Sequence, residues 1–391
     1  MNYLKPLCSA LIMAAPFVAL TPYIEGKEFH KDVSQINKPA TIKILVAQDK
    51  PEVLLEIQGR YQIYNPLDGL LVDTGILGKR SPISVASDGI KWANILPIGL
   101  RQFRIVPGDS QSKILVNGVQ YLGCIEAYEY NGLVTIVNEL DVENYLKSTL
   151  APLFSSEKNQ ELLDAIAITA RTQIYYTLVH NFNADWQVDA AEVGYQGFAL
   201  AHQNARLDKS IDNTKHMIMT HNQTPFFALW TKDSAGKTAS IDTILRKESN
   251  APAGVQIPLA LRDREKRTWS LTITKEQLAR IAEVKNINGL DLFLDQLSGK
   301  VYALRIHDGF TTKDIDFFTL QTAIGAKKVR SNDFTVSLKK DNIILSGFGE
   351  GPGAGLCLYS ARLMAERGDK ATKILSTFFP DTQLERKREI R

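Results

Sequence analysis

Gln160-Glu-Leu-Leu-Asp-Ala-Ile-Ala-Ile-Thr-Ala-Arg-Thr-Gln-Ile-Tyr-Tyr-Thr-Leu-Val-His180 divides the chain into two textures. Leu162, Leu163, Ile166, Ala167, Ala170, Ile174 and Leu178 recur three and four apart, the spacing of a helix face. That spacing predicts a helix over 160–181, and residues 142–153 repeat it. Upstream the pattern is different. Residues 40–46 alternate like a half-buried strand, and short apolar runs follow at 53–57, 61–64, 70–72, 83–85, 103–107 and 113–116. Gly, Pro, Asp and Asn separate them. Val116-Asn-Gly-Val119 is a two-residue hairpin signal, and residues 128–137 bend again at Asn131-Gly132. Downstream the chain is mixed. Strands are expected at 226–230, 301–306, 334–338 and 343–345, and helices at 274–284, 290–297 and 362–379. A β-rich part, a helix pair and a mixed lobe make an α+β fold rather than a regular βαβ series.

The chain has 391 residues, 44% hydrophobic and 23% charged, which suits a packed core. A net charge of only +3 argues against nucleic acid as a partner. Residues 6–20 form an uncharged, mostly apolar run behind Lys5. It is short for a membrane span, which needs about 20 residues, and fits a signal peptide over 1–22, with an uncleaved anchor as the alternative. An exported, envelope-associated protein is therefore expected. The domain reading is a β-rich part over 40–138, a core over 139–385 and a basic tail over 386–391. Beyond Cys8 in the apolar run, Cys124 and Cys357 either pair or act as buried small hydrophobes. The six histidines are scattered without ligand spacing, so no metal site and no cofactor is expected.

Three ordered segments carry a resemblance. The first runs from Leu115-Val-Asn-Gly118 through Val137-Asn-Glu-Leu-Asp-Val-Glu-Asn-Tyr145 to Ala165-Ile-Ala-Ile-Thr-Ala-Arg-Thr172. The second is Ala228-Leu-Trp-Thr-Lys-Asp-Ser-Ala-Gly-Lys-Thr238. The third runs from Ser331-Asn-Asp-Phe334 through Gly347-Phe-Gly-Glu-Gly-Pro-Gly-Ala-Gly355 to Phe379-Pro380. Trp269 to Ile273 and Ser298-Gly-Lys-Val301 fit as well. Together they resemble the SpoIID/LytB family of bacterial cell-wall proteins. The enzymes of that family are lytic transglycosylases, which cut peptidoglycan glycan strands freed of their stem peptides. Such cleavage needs one carboxyl group that donates and then accepts a proton, held protonated by an apolar site.

The resemblance places that acid eighteen positions before the arginine of the Ala-Ala-Arg-Thr motif. Here the arginine is Arg171, and Leu153 stands at the acid's position. Leucine moves no proton. The family's Gly-His-Gly-Val-Gly-Met-Ser-Gln becomes Gly351-Pro-Gly-Ala-Gly-Leu-Cys-Leu358, and the histidine of the middle loop becomes Thr231. Retained are Arg171, Ser234, Gly236, Thr238 and Ser331, with Gly347, Gly349, Gly351, Gly353 and Gly355. The glycines are expected to take positive φ and let backbone approach a bulky polymer, and Arg171 to bond sugar oxygens or a lactyl carboxylate. Glu350 and Glu157 are candidate substitute acids; the plain alternative for each is a solvated carboxylate. Trp230 and Tyr359 either stack on sugars or pack in the core. Gly236-Lys237-Thr238 is no phosphate loop, because Thr231 stands where the upstream glycine belongs.

The function expected from the resemblance is an exported protein that binds or remodels stem-peptide-free glycan, degenerate at its acid. The alternatives are an active transglycosylase with a relocated acid, and an enhancer of an N-acetylmuramoyl-L-alanine amidase. Expected partners are glycan strands and a cell-wall amidase or divisome protein. A structural exported domain without glycan contact is the reading outside the family.

Overall fold

The computed structural model describes residues 40–93, 99–200 and 204–387. The apolar run expected as a signal peptide lies outside them, as does most of the basic tail. The described chain forms two compact units, neither continuous in sequence.

One unit holds residues 40–157, Thr177–His216 and 386–387. Its strands are β1 (Thr41–Lys50), β2 (Glu52–Gln58), β3 (Tyr61–Tyr64), β4 (Leu71–Gly75), β5 (Lys79–Ala86), β6 (Gly89–Trp92), β7 (Gln102–Pro107), β8 (Lys113–Val116), β9 (Val119–Tyr121), β10 (Cys124–Tyr130), β11 (Leu133–Asp141) and β12 (Val188–Asp189). They make a seven-stranded sheet, ordered β12-β1-β11-β10-β7-β3-β4, and a five-stranded one, ordered β6-β5-β2-β8-β9. The alternation read from sequence is the core itself. Val53, Leu55 and Ile57 of β2 pack with Ile63, Trp92, Phe103, Ile105, Ile125 and Ile136. Both Asn-Gly hairpins form. Asn117 and Gly118 join β8 to β9 at φ 49° and 83°, and Asn131 and Gly132 join β10 to β11 at φ 51° and 76°. Two consecutive positive φ angles are what a tight hairpin with the right twist requires.

A charged row crosses four strands of the larger sheet. Glu126 on β10, only 1% exposed, accepts from Arg104 on β7 at 2.8 Å and from Lys43 on β1 at 2.7 Å. Arg104 also donates to Glu139 on β11. Burial alone would raise the Glu139 carboxyl, but Arg104, the Thr41 hydroxyl and Lys43 outweigh it and hold it below the usual glutamate range.

Helix α1 (Val142–Phe154) starts at the expected residue, capped by Asp141, whose carboxylate accepts from the Glu143 and Asn144 amides at 2.9 and 3.1 Å. Helix α2 (Gln160–His180) is buried on nearly every side between Leu162 and Tyr176. A helix so enclosed needs no polar face, which is why its apolar pattern is wide rather than a stripe. Its residues from Gln160 to Tyr176 belong to the other unit. Helices α3 (Ala190–Val193) and α4 (Ala205–Asn213) complete the first unit.

The other unit holds Lys158–Tyr176 and Met217–Glu385. Its strands are β13 (Met217–Thr220), β14 (Trp230–Thr231), β15 (Thr268–Thr274), β16 (Gly289–Leu294), β17 (Val301–His307), β18 (Thr312–Asp316), β19 (Phe334–Leu338), β20 (Asn342–Phe348), β21 (Leu356–Cys357) and β22 (Gln383–Arg386). Its helices are α5 (Ile241–Leu245), α6 (Pro258–Leu261), α7 (Lys275–Ala282), α8 (Phe317–Ile324), α9 (Leu358–Glu366) and α10 (Ala371–Phe378). Sheets β15-β20-β19 and β16-β17-β18 share a core of Trp269, Ile273, Leu278, Val301, Leu304, Ile306, Phe317 and Leu345.

Three expectations change here. Residues 290–297 form strand β16 and a turn rather than a helix. Leu290, Leu292 and Leu294 alternate as readily as they step, and a run this short fits either period. Of 226–230, only Trp230 enters a strand; Phe226 and Ala228 are buried in irregular backbone. The helix over 362–379 is two, α9 and α10, parted at Gly368 with φ 93°. The basic tail begins inside β22, since Arg386 is that strand's last residue. No described helix is long and apolar enough to cross a membrane.

The charged row predicts an acid sensitivity. Glu139 has a folded-state affinity for protons below its unfolded one, so its contribution is present above the ordinary glutamate pKa of about 4.3 and fades as pH falls through the folded value. The urea midpoint should drop steadily below about pH 5. Arg104→Met should cost on the order of 2–4 kcal/mol at pH 7, because it leaves Glu126 short of a buried partner, and should flatten that acid slope.

Candidate functional site

The Gly-rich segment after β20 lies against the loop after β14. Strands β14 and β21 run parallel, with Trp230 opposite Leu356 and Thr231 opposite Cys357. Asp233 and Glu350 exchange both backbone hydrogen bonds at 2.8 Å, and the Ala239 amide donates to the Gly353 carbonyl at 2.8 Å. Thr231, standing at the middle-loop histidine of the resemblance, stitches the two segments. Its hydroxyl donates to the Glu350 carbonyl and accepts from the Gly353 amide, each at 3.1 Å.

Gly349, Gly351, Gly353 and Gly355 all have φ between 64° and 102°, as expected. What they approach is the protein's own chain. A Cβ on Gly349 would stand 2.3 Å from the Asp233 carbonyl oxygen, and one on Gly351 2.6 Å from the Thr231 hydroxyl. A Cβ on Gly353 would stand 2.4 Å from the Lys300 side chain, and one on Gly355 2.0 Å from the Leu229 carbonyl oxygen. Gly349 and residues 351–357 are buried. Gly349, Gly351, Gly353 and Gly355 thus form part of a close loop-on-loop joint. Their positive φ lets the backbone approach Asp233, Thr231, Lys300 and Leu229.

Beneath the joint lies a buried charge. Lys300, 1% exposed, donates to Asp333 Oδ2 and to the Ser234 carbonyl, each at 3.0 Å. Burial lowers its proton affinity, with Asp333 acting against that. Asp333 also accepts from Arg264 at 2.8 Å, and the Arg264 guanidinium lies 4.2 Å from the Phe348 ring centroid. Arg267 is 2.6 Å from Asp233, donates to the Ala260 carbonyl at 2.7 Å and covers the Tyr359 ring at 4.3 Å. Ser331 donates to the Phe348 carbonyl at 2.6 Å and accepts from the Trp269 indole at 2.9 Å. The Ser234 hydroxyl and the Asn332 side-chain amide are fully enclosed and have no hydrogen-bond partner among the described residues.

The other residues singled out from sequence take these places. Gly236 has φ 89° and packs on Leu261. Thr238 pairs with Val255, accepting its amide at 2.8 Å. Arg171 is fully buried and donates to the Met217 carbonyl at 3.1 Å. Trp230 and Tyr359 are half-buried. Cys124 and Cys357 are both free and buried. Cys357 sulfur accepts from the Ser234 amide at 3.2 Å and the Ser360 hydroxyl at 3.3 Å.

The two candidate acids lie in different settings. Glu350 is gripped by Lys232 at 2.7 Å and Arg330 at 3.1 Å. Burial alone would raise its carboxyl, but those two cations hold it below the usual range, hence ionised near neutrality. Glu157 lies beyond the end of α1, which stops at Phe154. Leu153 itself is 42% exposed. No cluster of three or more His, Cys, Asp or Glu able to hold a metal ion occurs among the described residues.

Sequence reasoning missed Lys300, Asp333, Arg264 and Arg267 as a group. The signal was present, since Ser298-Gly-Lys-Val301 and Ser331-Asn-Asp-Phe334 both belong to the resemblance. Nothing in one sequence says that the lysine of one meets the aspartate of the other.

The model of a family described as SpoIID, stage II sporulation protein, matches residues 130–221. An uncharacterized protein of Chlamydia pneumoniae is 33% identical over 184 residues, 46% of this chain and 66% of that one. The chain therefore spans slightly less than two thirds of that relative's length. The amidase enhancer of Bacillus subtilis is 24% identical over 408 residues, 90% of this chain and 57% of that one. Stage II sporulation protein D of the same organism is 22% identical over 264 residues, 63% and 75% of the two chains.

Two alanine variants separate close packing from backbone strain. Gly299 has φ 73° with nothing near its Cβ position, so Gly299→Ala should cost about 1 kcal/mol. Gly355→Ala carries the same strain plus the Leu229 clash and should cost on the order of 3–5 kcal/mol. Denaturant midpoints measure both; equal costs would rule out a packed joint.

Proposed function

The chain is a divergent member of the SpoIID/LytB family, and from that membership we propose that it is a cell-wall protein that holds glycan strands without cutting them. The observation that carries this reading is the state of the candidate acids. Leu153 occupies the position where the resemblance puts the acid, and Glu350 is held ionised between Lys232 and Arg330. Glycan cleavage through an anhydro product needs a carboxyl that is protonated at the start. A carboxylate stabilised by two cations resists that protonation. The frame that the other motif residues build is intact. It fixes the loop backbones and displays Lys232, Arg330 and the rim of Tyr359 at the surface. Such groups suit a polymer bearing carboxylates and sugar rings. The apolar run at 6–20 supports export to the envelope where that polymer lies.

A second reading is favoured by the similarity that runs along 90% of this chain. That relative is named an amidase enhancer, and this chain would act by presenting glycan to an amidase.

The test uses purified protein and peptidoglycan with its stem peptides removed by an amidase. The expected outcome is co-sedimentation with the sacculus and no 1,6-anhydro-muramic product by mass spectrometry. Glu350→Gln should leave that silence unchanged. Anhydro products that vanish in Glu350→Gln or Glu157→Gln would overturn the non-cutting reading, and failure to sediment would overturn glycan binding. Faster stem-peptide release by added amidase would establish the enhancer role.

A further inference from the structure

A cleft of about 230 Å³ opens on the β16-β17-β18 sheet, lined by Arg246, Phe293, Tyr302, Ala303, Arg305 and Asp314. One irregularity makes it. In the β16–β17 ladder Phe293 pairs with Ala303 but Leu294 pairs with Val301, so Tyr302 is an extra residue with no partner. Such a bulge re-aims a side chain. The Tyr302 ring comes to lie nearly parallel to Phe293, with centroids 5.9 Å apart and planes at 27°. Arg305 stands 4.9 Å from the Phe293 centroid. Directly opposite in register, Asp314 of β18 receives Arg305 in a two-pronged pair at 2.8 Å on each arm. That pair neutralises Arg305 and fixes its plane.

The second guanidinium is not neutralised. Arg246 follows α5 at φ 53°, a left-handed position that a bulky side chain rarely adopts, and is exposed. Among the described residues its side chain makes no hydrogen bond or ion pair. Its charge does reach the cleft. The Arg305 hydrogen bonds, aided by the charges of Arg246 and His307, hold the Asp314 carboxyl below the usual aspartate range. Two guanidiniums and one carboxylate leave the lining with an excess of one positive charge beside two stacked rings.

We propose that this cleft is a subsite for a carboxylated sugar. The face of the sugar ring lies on the Phe293–Tyr302 pair and the carboxylate meets Arg246. Aromatic faces take the C–H side of a sugar ring, and a guanidinium takes a carboxylate through paired N–H donors. The choice of sugar rests on the cell-wall reading above. Hydrolysis of the amide that joins a stem peptide to the lactyl group leaves a free carboxylate on each muramic residue, so stripped glycan offers this ligand and peptide-bearing glycan does not. The cleft would therefore discriminate between the two states of the strand.

The test titrates the full chain with N-acetylmuramic acid, N-acetylglucosamine and N-acetylglucosamine 1-phosphate, by calorimetry and ligand-detected saturation-transfer NMR. The muramic sugar is expected to bind at least tenfold more tightly than N-acetylglucosamine. Arg246→Gln, at an exposed position, should erase that gap with an unchanged thermal midpoint, and Arg246→Lys should keep part of it. Tyr302→Ala should weaken both sugars alike. Equal binding of muramic acid and N-acetylglucosamine, no binding at all, or a gap that survives Arg246→Gln overturns the subsite. Tighter binding of the phosphate overturns its assignment to a carboxylate. The two proposals fail separately. Sedimentation without the tenfold gap removes the subsite alone, and the gap without sedimentation removes the cell-wall reading alone.

Discussion

Lys300 is the constraint on which the unit with the Gly-rich loop depends. Enclosing an ammonium costs several kcal/mol unless the interior answers it. Asp333 and the Ser234 carbonyl do so, and their 3.0 Å bonds fix three stretches that lie far apart in sequence. The consequences spread from there. Asp333 accepts from Arg264, Arg264 lies on Phe348, and Phe348 leads into the glycines. The Lys300 side chain passes where a Cβ of residue 353 would stand, so Gly353 cannot carry a side chain. Removing Asp333 alone would leave the buried Lys300 with the Ser234 carbonyl and no counter-charge, a costly way to break such a pair.

Much of the fold was legible because its patterns are local. The alternation of β2, the two Asn-Gly turns and the seven apolar positions of α2 are each written within a few residues. The failures were also local in cause. Leu290, Leu292 and Leu294 suit either period, and the partners that chose the strand, Ile306, Leu304 and Val301, come later in the chain. The candidate site was legible as a set of motifs and illegible as a mechanism of assembly. Gly349 and Gly355 can be read from sequence as positions needing freedom. The atoms that demand it are the carbonyls of Asp233 and Leu229, which stand far earlier in the chain.

The same geometry separates what the motifs report. Ser234, Thr238, Ser331 and the glycines are enclosed; Thr238 and Ser331 bond to the protein's own backbone, and the Ser234 amide to the Cys357 sulfur. Changing them damages packing whether or not any chemistry takes place. Leu153 is exposed. Loss of an exposed acid costs the fold little; loss of a buried glycine or of Asp333 costs it several kcal/mol. Persistence of the motif speaks for the architecture, and the function has to be sought in what the surface still offers: Lys232, Arg330 and the cleft beside Arg246.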